Sequence, residues 1–493
     1  MKRLIIISSV LLLLGSIFSG CKKFFEEDLT GKVIGNTAVD NQVGLESVLT
    51  GAYKGLGQTW TMGFLHGPQA HVTLGGDDRT GPVTDQAGRE FDLFTVSASN
   101  TILKELYRGC YKTIQGTNNI ISNYATASGD PAKLKMIAGE AYFLRGFAYY
   151  WLARLFKNIP LMTSTDFSLD LLKIQKTDVR QIYSQVIEDL SQAESLLGDT
   201  KRDPGRPNAG TAKAFLADVY LTMGGWPVND PSKYALAAEK AKEVIDNQSK
   251  YGFRFLPTYS EIFENNETKN GTAEDVFAVT ANKLGSGSSN TMYGLREMPG
   301  ELGGWDVLYA EINFFKQFPE GERKDVTFSA TVTKADGTVL GWESLVVKHP
   351  FFKKFWPMRG LPGYPLTNLS LPVVMMRYSH VLTIYAEAKA RSGSPDDLAY
   401  KCLNDVRVRG SEDPFTIGSL SASAFADSVV QERAWEFAGE YTRWFDLVRL
   451  KMVKEANSHR DPLEPVRVID SPMDTSVYVF PIPLDDQLIN PNL

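Results

Sequence analysis

The chain has 493 residues, 43% of them hydrophobic and 22% charged, the balance of a folded protein rather than a disordered one. Lys and Arg total 52 against 58 Asp and Glu, a net charge of −6, so there is no basic excess for gripping nucleic acid or an anionic membrane. Three Cys exclude a disulfide scaffold and a multi-cysteine zinc module.

Met1-Lys2-Arg3 opens a basic region, and Leu4 to Phe18 follow as an apolar stretch broken only by Ser and Gly. Fifteen residues rising about 1.5 Å each fall short of a bilayer core of about 30 Å, so residues 1–20 read as a secretory signal peptide. Ser19-Gly20-Cys21 resembles the lipobox of bacterial lipoproteins, although Phe18 stands where an aliphatic residue is usual. That resemblance implies cleavage before Cys21 and lipidation there, with several acyl chains anchoring the protein. Plain secretion, with Cys21 an ordinary thiol, is the alternative. Loss of Lys2 and Arg3 would move the net charge to −8. Residues 21–35 then form a tether whose Glu26-Glu27-Asp28 either resembles a surface-export signal or only solvates the linker. No later apolar run approaches 18 residues, so the mature body is expected not to span a membrane.

The body reads as paired helices. Val43–Leu56 and Ile102–Tyr124 carry the first helical periods. Ile137, Ala141, Leu144, Ala148, Trp151 and Leu155 form a stripe ended by Pro160, and Val179 to Leu197 repeats the pattern before Gly198. Thr211 to Met223 breaks at Gly224-Gly225, and a short helix carries Tyr234 to Ile245. Tyr378–Ser392 and Leu398–Arg409 follow, then one long helix from about Ala424 to Val453 with Val430, Phe437, Tyr441 and Trp444 on a shared face. Gly139-Glu-Ala141 and Ala212-Lys-Ala214 put small residues where helices would approach closely. Ala141 and Ala212 lie 71 residues apart, about twice the ~34-residue tetratricopeptide (TPR) period. TPR-like stacking is therefore expected, burying a continuous core and leaving a broad face for a partner. Cys110 and Cys402 fall in helices far apart in sequence and are expected as two buried thiols.

Residues 251–372 are different in kind, rich in Gly, Pro, Asn and aromatics. Val326–Thr333 and Thr338–Trp342 flank an Asp336-Gly337 turn and predict a small β-hairpin. Gly285 to Asn290 and Met62 to Phe91, the latter around Gly75-Gly-Asp-Asp-Arg79, read as loops of the sort that carry ligand sites.

Several motifs together resemble the SusD/RagB family of Bacteroidetes outer-membrane lipoproteins. They are Gly139 to Phe156 followed by Ile159-Pro160-Leu161, Met376 to Ala388, and Leu403-Asn-Asp-Val-Arg-Val-Arg409. Gln431-Glu-Arg433 with Arg443-Trp-Phe-Asp-Leu-Val-Arg449, Phe480-Pro-Ile-Pro483 and Asn490-Pro-Asn-Leu493 complete the set, all in the family's order. The resemblance implies a mainly α, TPR-like scaffold over 36–250 and 373–493, with 251–372 as a loop-rich insertion in one domain spanning 36–493. It also implies a lipid-anchored protein facing the cell exterior. Such a protein captures oligosaccharides, or peptides in the RagB type, for a SusC-like TonB-dependent transporter, without catalysis.

A sugar site needs flat apolar faces and planar polar side chains. Trp60, Tyr293, Trp305 and Trp356 lie in poorly periodic stretches, and Asp77, Asp78, Arg79 and Asn100 in or near the early loop; these are the candidate ligand residues. The Asp pair resembles a position where the family often has an acidic residue beside its ligand. For each aromatic, packing as a loop anchor is the alternative. Arg433, Glu436, Glu440 and Asp446 could supply an acid and a base, but carboxylates beside Arg on a helix are expected to be ion pairs. His66 and His71 with Asp77 and Asp78 leave open a metal cluster or a structural calcium ion; no other cofactor is expected. Motifs of zinc proteases, serine hydrolases and phosphate-binding loops are absent. An all-α glycoside hydrolase and a protein-binding TPR adaptor remain the rival readings.

Overall fold

The computed structural model describes residues 39–57, 67–165, 169–263, 271–280, 295–356, 372–464 and 474–493. The signal segment, Cys21, the tether, Trp60, His66 and Tyr293 lie outside them.

The main helices are α1 (Gln42–Gly57), α2 (Thr101–Asn123), α3 (Pro131–Phe156), α4 (Val179–Leu196), α5 (Ala209–Gly224), α6 (Lys233–Asp246), α7 (Tyr378–Ser392), α8 (Asp397–Arg409), α9 (Ala422–Glu436) and α10 (Arg443–Leu450). Local chemistry sets their ends. Asp130 accepts from the Ala132 N–H and Pro131 takes the first turn of α3, while Lys157 turns to φ +62° to leave it. Asn208 and Thr211 cap α5 reciprocally.

From α1 to α6 each helix packs on the next, and α7 then packs on α6, α8 and α9. This is the expected stacking of helical pairs over one continuous core. The small residues act where they were expected to. A Cβ at Gly139 would fall 2.9 Å from Leu197 Cγ, and one at Gly146 3.1 Å from Leu190 Cγ, so α3 and α4 close on glycine. Cys110 and Cys402 are buried and unpaired.

The insertion leaves after α6 and returns just before α7. Its ends are tied by β2 (Asp275–Val279) and β6 (Val373–Arg377), antiparallel with Asp275 opposite Arg377 and Val279 opposite Val373. Its own small core contains Leu295, Met298, Tyr309, Val332, Phe351 and Trp356. The hairpin forms over a shorter span than predicted, β4 (Thr331–Thr333) against β5 (Val339–Gly341), with Gly337 at φ +85°. Residues Glu322–Thr327 are helical instead.

Two expectations are corrected. The long helix predicted over 424–453 is three helices: α9, α10 and the short Val453–Asn457. The apolar period runs through the break, but Gly439 (φ +77°) and Tyr441 (φ +68°) take left-handed conformations that no helix continues. The Gly439 N–H freed there donates to Asp78 Oδ2 at 2.9 Å, a partner 361 positions away. The early loop, in turn, is largely interior. A Cβ at Gly75 would lie 2.5 Å from the Trp444 ring, and strand β1 (Arg79–Thr80) and a helix Gln86–Asp92 occupy a stretch that reads as open loop.

Candidate functional site

Strand β1 pairs with β3 (Tyr309–Ala310), Arg79 opposite Ala310 and Thr80 opposite Tyr309. Two stretches singled out separately in the sequence, the early loop and the turn bearing Trp305, are thereby laid side by side. The turn is closed by the Trp305 N–H donating to the Leu295 carbonyl at 2.9 Å and by the Gly300 N–H donating to Asp306 Oδ1 at 2.8 Å. Trp305 is 44% exposed, a large indole held outward by a backbone fixed at both ends.

Trp356 is 9% exposed and lies in the core of the insertion. Its indole N–H donates to the Glu297 carbonyl at 2.6 Å, so it braces the turn that carries Trp305. A cleft of about 780 Å3 opens beside this brace, lined by Leu302, Phe315, Lys324, Asp325, Lys353 and Trp356. Aromatic surface next to ammonium, carboxylate and threonine hydroxyl groups is the mixture that holds a ring with an apolar face and polar edges. The cleft residues Lys324, Asp325 and Lys353 were not singled out from sequence. Lys353 stands three residues before Trp356, whereas Lys324 and Asp325 belong to the charged run Glu320 to Asp325, which nothing in the sequence connects to Trp356.

The early-loop candidates sit differently. Arg443 donates to both oxygens of Asp77 (2.6 and 2.8 Å); burial pushes that carboxyl up, but Arg443 outweighs it and holds it below its usual value. Asp78 is buried and accepts from Gly439. The Arg79 guanidinium is buried 4.6 Å from the Tyr441 ring centroid and 5.4 Å from that of Phe352. Asn100 caps α2, accepting from the Leu103 N–H at 3.0 Å and donating to the Ala87 carbonyl at 2.8 Å. All four hold the early loop to the scaffold; of the candidates among the described residues, Trp305 is the exposed one.

Glu436, Glu440 and Asp446 are held by arginines. Arg377, fully buried, donates to Glu274, Glu436 and Glu440, each at 2.8 Å, and Arg409 donates to Glu274 at 2.6 Å and Glu436 at 2.5 Å. Burial would raise the Glu436 carboxyl, but Arg409, Arg377 and Arg323 outweigh it and hold it at about 2. Asp446 is clamped between Arg433 at 2.8 Å and Arg449 at 2.9 Å. A general acid must hold a proton near neutral pH, and Glu436, Glu440 and Asp446, all held below their usual range, do not. The sequence hint of ion pairing along this segment is what the structure builds, with Arg377 as a hub that no periodicity marks.

His71 faces the Gly67 carbonyl at 3.0 Å and Asp85 at 3.1 Å, and Asp85 also caps the helix Gln86–Asp92. Among the described residues no three His, Cys, Asp or Glu side chains converge as a metal site would require, and both oxygens of Asp77 are occupied by Arg443.

Comparison with known proteins agrees with this architecture. Residues 365–493 match the model of the SusD family, and residues 84–221 match a model described as starch-binding associating with outer membrane. SusD-like protein P2 of Formosa agariphila is 30% identical over 432 residues, covering 82% of each chain. A SusD superfamily protein from Parabacteroides distasonis superposes with a TM-score of 0.78 at 22% identity, over 92% of this chain and 98% of that one. A laminarin binding SusD-like protein superposes at 0.73 with 23% identity, over 92% and 98%. The chain belongs to the SusD/RagB family.

Proposed function

We propose that this protein captures oligosaccharides at the Trp305 turn and its adjoining cleft and passes them, chemically unchanged, to a SusC-like TonB-dependent transporter. Cys21 carries the lipid that tethers it to the outside of the outer membrane. The observation that carries the proposal is Trp305: an exposed indole on a braced turn, beside a cleft of about 780 Å3 with both apolar and charged walls. Family membership supports it, as does the laminarin-binding protein of similar fold. Ion pairing of Glu436, Glu440 and Asp446 in the interior favours binding over hydrolysis. Among the described residues no helix is long and apolar enough to cross a membrane.

Incubation of the purified protein with glycan pools tests this. Retention of an oligosaccharide with no shorter product is expected. Turnover abolished by one carboxylate substitution would overturn the proposal in favour of a hydrolase. Retention of peptides with indifference to glycans would place the protein with the peptide-binding members. Co-purification with a barrel protein from the native membrane tests the transfer step.

A further inference from the structure

A second cleft, of about 420 Å3, lies between the middle of α2, residues 160–165 and 171–174, and the C-terminal helix Leu484–Ile489. It shares no lining residue with the cleft beside Trp356. Its volume is that of a small-molecule site. The floor is formed by the rings of Tyr107 and Tyr111, centroids 4.7 Å apart, with Ile114 and Met162. Leu172 and Ile489 make the outer walls and are exposed. Leu169 and Leu488, in the same two short helices, are exposed as well. These helices adjoin, since Asn490 donates to the Ile174 carbonyl and Asn492 to that of Lys173. Exposed aliphatic groups gathered in one place mark a surface with an occupant rather than scattered surface apolarity.

The Tyr111 hydroxyl and the Asn118 amide at the floor are already used. The Tyr111 hydroxyl donates to the Pro160 carbonyl at 2.7 Å, and the Asn118 amide donates to the Met162 carbonyl at 2.9 Å and accepts from Arg145 at 2.9 Å. A sugar entering here would give up its hydrogen bonds to water against a floor of mainly ring and aliphatic carbon, a cost of about 1–3 kcal/mol for each group left stranded. An alkyl chain strands nothing. The free polarity is at the rim. Lys112 is exposed and forms no ion pair among the described residues, and Arg108, one turn earlier on α2, shares Asp485 with Lys104. Asp485 thus takes up Arg108 and Asp486 also lines the cleft, which leaves Lys112 as the lining cation with no ion pair among the described residues. An ammonium left unpaired at the rim of an apolar cleft favours a negative head group.

We propose that this cleft binds a monomeric, single-chain amphiphile with an anionic head, the chain lying on Tyr107, Tyr111 and Ile114 and the head at Lys112. The test is calorimetric titration with decanoate below its micelle concentration, on protein carrying Cys21→Ser so that no detergent is needed. Saturable one-to-one binding is expected, lost in Leu172→Asp and weakened ~5-fold in Lys112→Gln, the worth of one exposed charge-assisted contact. Decanol should bind more weakly than decanoate and be indifferent to Lys112→Gln. Trp305→Ala should leave decanoate binding unchanged, which separates this site from the proposed glycan site. Both cleft substitutions are at exposed positions, and unchanged melting curves would show that the fold is intact. No saturable binding, or binding that survives Leu172→Asp, would overturn the proposal. Equal affinity for decanol and decanoate would overturn the assignment of the head to Lys112.

Discussion

The indole N–H of Trp356 donates to the carbonyl of Glu297 at 2.6 Å, and this contact divides the labour between two tryptophans that look equivalent in the sequence. Trp356 lies within the core of the insertion and fixes the 295–305 turn from beneath; Trp305 rides that turn with 44% of its surface open. A flat ring adds to binding in proportion to how little of its freedom is lost on contact. The brace takes up that loss before any ligand arrives.

Replacing Trp305 with Ala should therefore weaken oligosaccharide binding ~10-fold, the ~1.4 kcal/mol of a modest aromatic hot spot. Stability should stay within about 0.5 kcal/mol, as for other exposed positions. Titration calorimetry and a urea melt on the same preparation check both halves; an unchanged affinity would remove Trp305 from the site.

Trp356 should respond in the opposite order. Trp356→Phe keeps most of the ring and loses the hydrogen bond to Glu297, costing about 1 kcal/mol, while Trp356→Ala costs about 3–5 kcal/mol through the cavity it leaves. Binding should fall in step with stability across the two variants. Full affinity in a destabilised Trp356→Ala would show that the brace does not organise the turn.

The helical scaffold was legible because its apolar period, caps and glycine contacts are local. Pro131 at the start of α3, the Asn208–Thr211 pair on α5 and Gly139 against Leu197 all act within a few residues or across one helix pair. The division at 437–442 was not legible. The apolar period persists through it, and what stabilises Gly439 outside the helix is Asp78, far away in the chain. For the same reason Asp77, Asp78, Arg79 and Asn100 look like free polar groups on a loop until their partners Arg443, Gly439, Tyr441 and Ala87 are in place. Trp305 and Trp356 differ by a burial that composition cannot show.

The Arg377 hub gives the fold an acid limit. Glu436 is held at about 2 against an ordinary value near 4.5. A depressed carboxyl contributes stability that is fully present above pH 4.5 and lost as pH falls toward 2, here on the order of 3 kcal/mol. Glu436→Gln should lose about 3–5 kcal/mol at pH 7, because Arg377 and Arg409 are left short of counter-charge. Its stability should then fall less steeply than the wild type's between pH 4.5 and 2 in urea unfolding. Parallel pH profiles would show that the acid limit lies elsewhere.

Glu297 has the reverse sign. Its side chain is buried with no hydrogen-bond partner on either oxygen among the described residues, and burial raises it to about 7 although Arg79 lies 3.8 Å away. A raised carboxyl contributes stability that is present below about pH 4.5 and lost as pH rises through 7. Glu297→Gln keeps the shape without the charge. Its melting temperature should exceed the wild type's at pH 8 by several degrees and match it at pH 5, as scanning calorimetry would record. A lower melting temperature at pH 8 would mean that Arg79 depends on the charge more than burial penalises it.

The most direct measurement is a glycan array probed in parallel with the wild-type protein and Trp305→Ala, with the eluted glycans sized afterwards. Capture at the Trp305 turn requires that the wild type retain one class of oligosaccharide at full length and that the variant lose it. Retention of the same glycans by both proteins, or recovery of shortened ones, would contradict it.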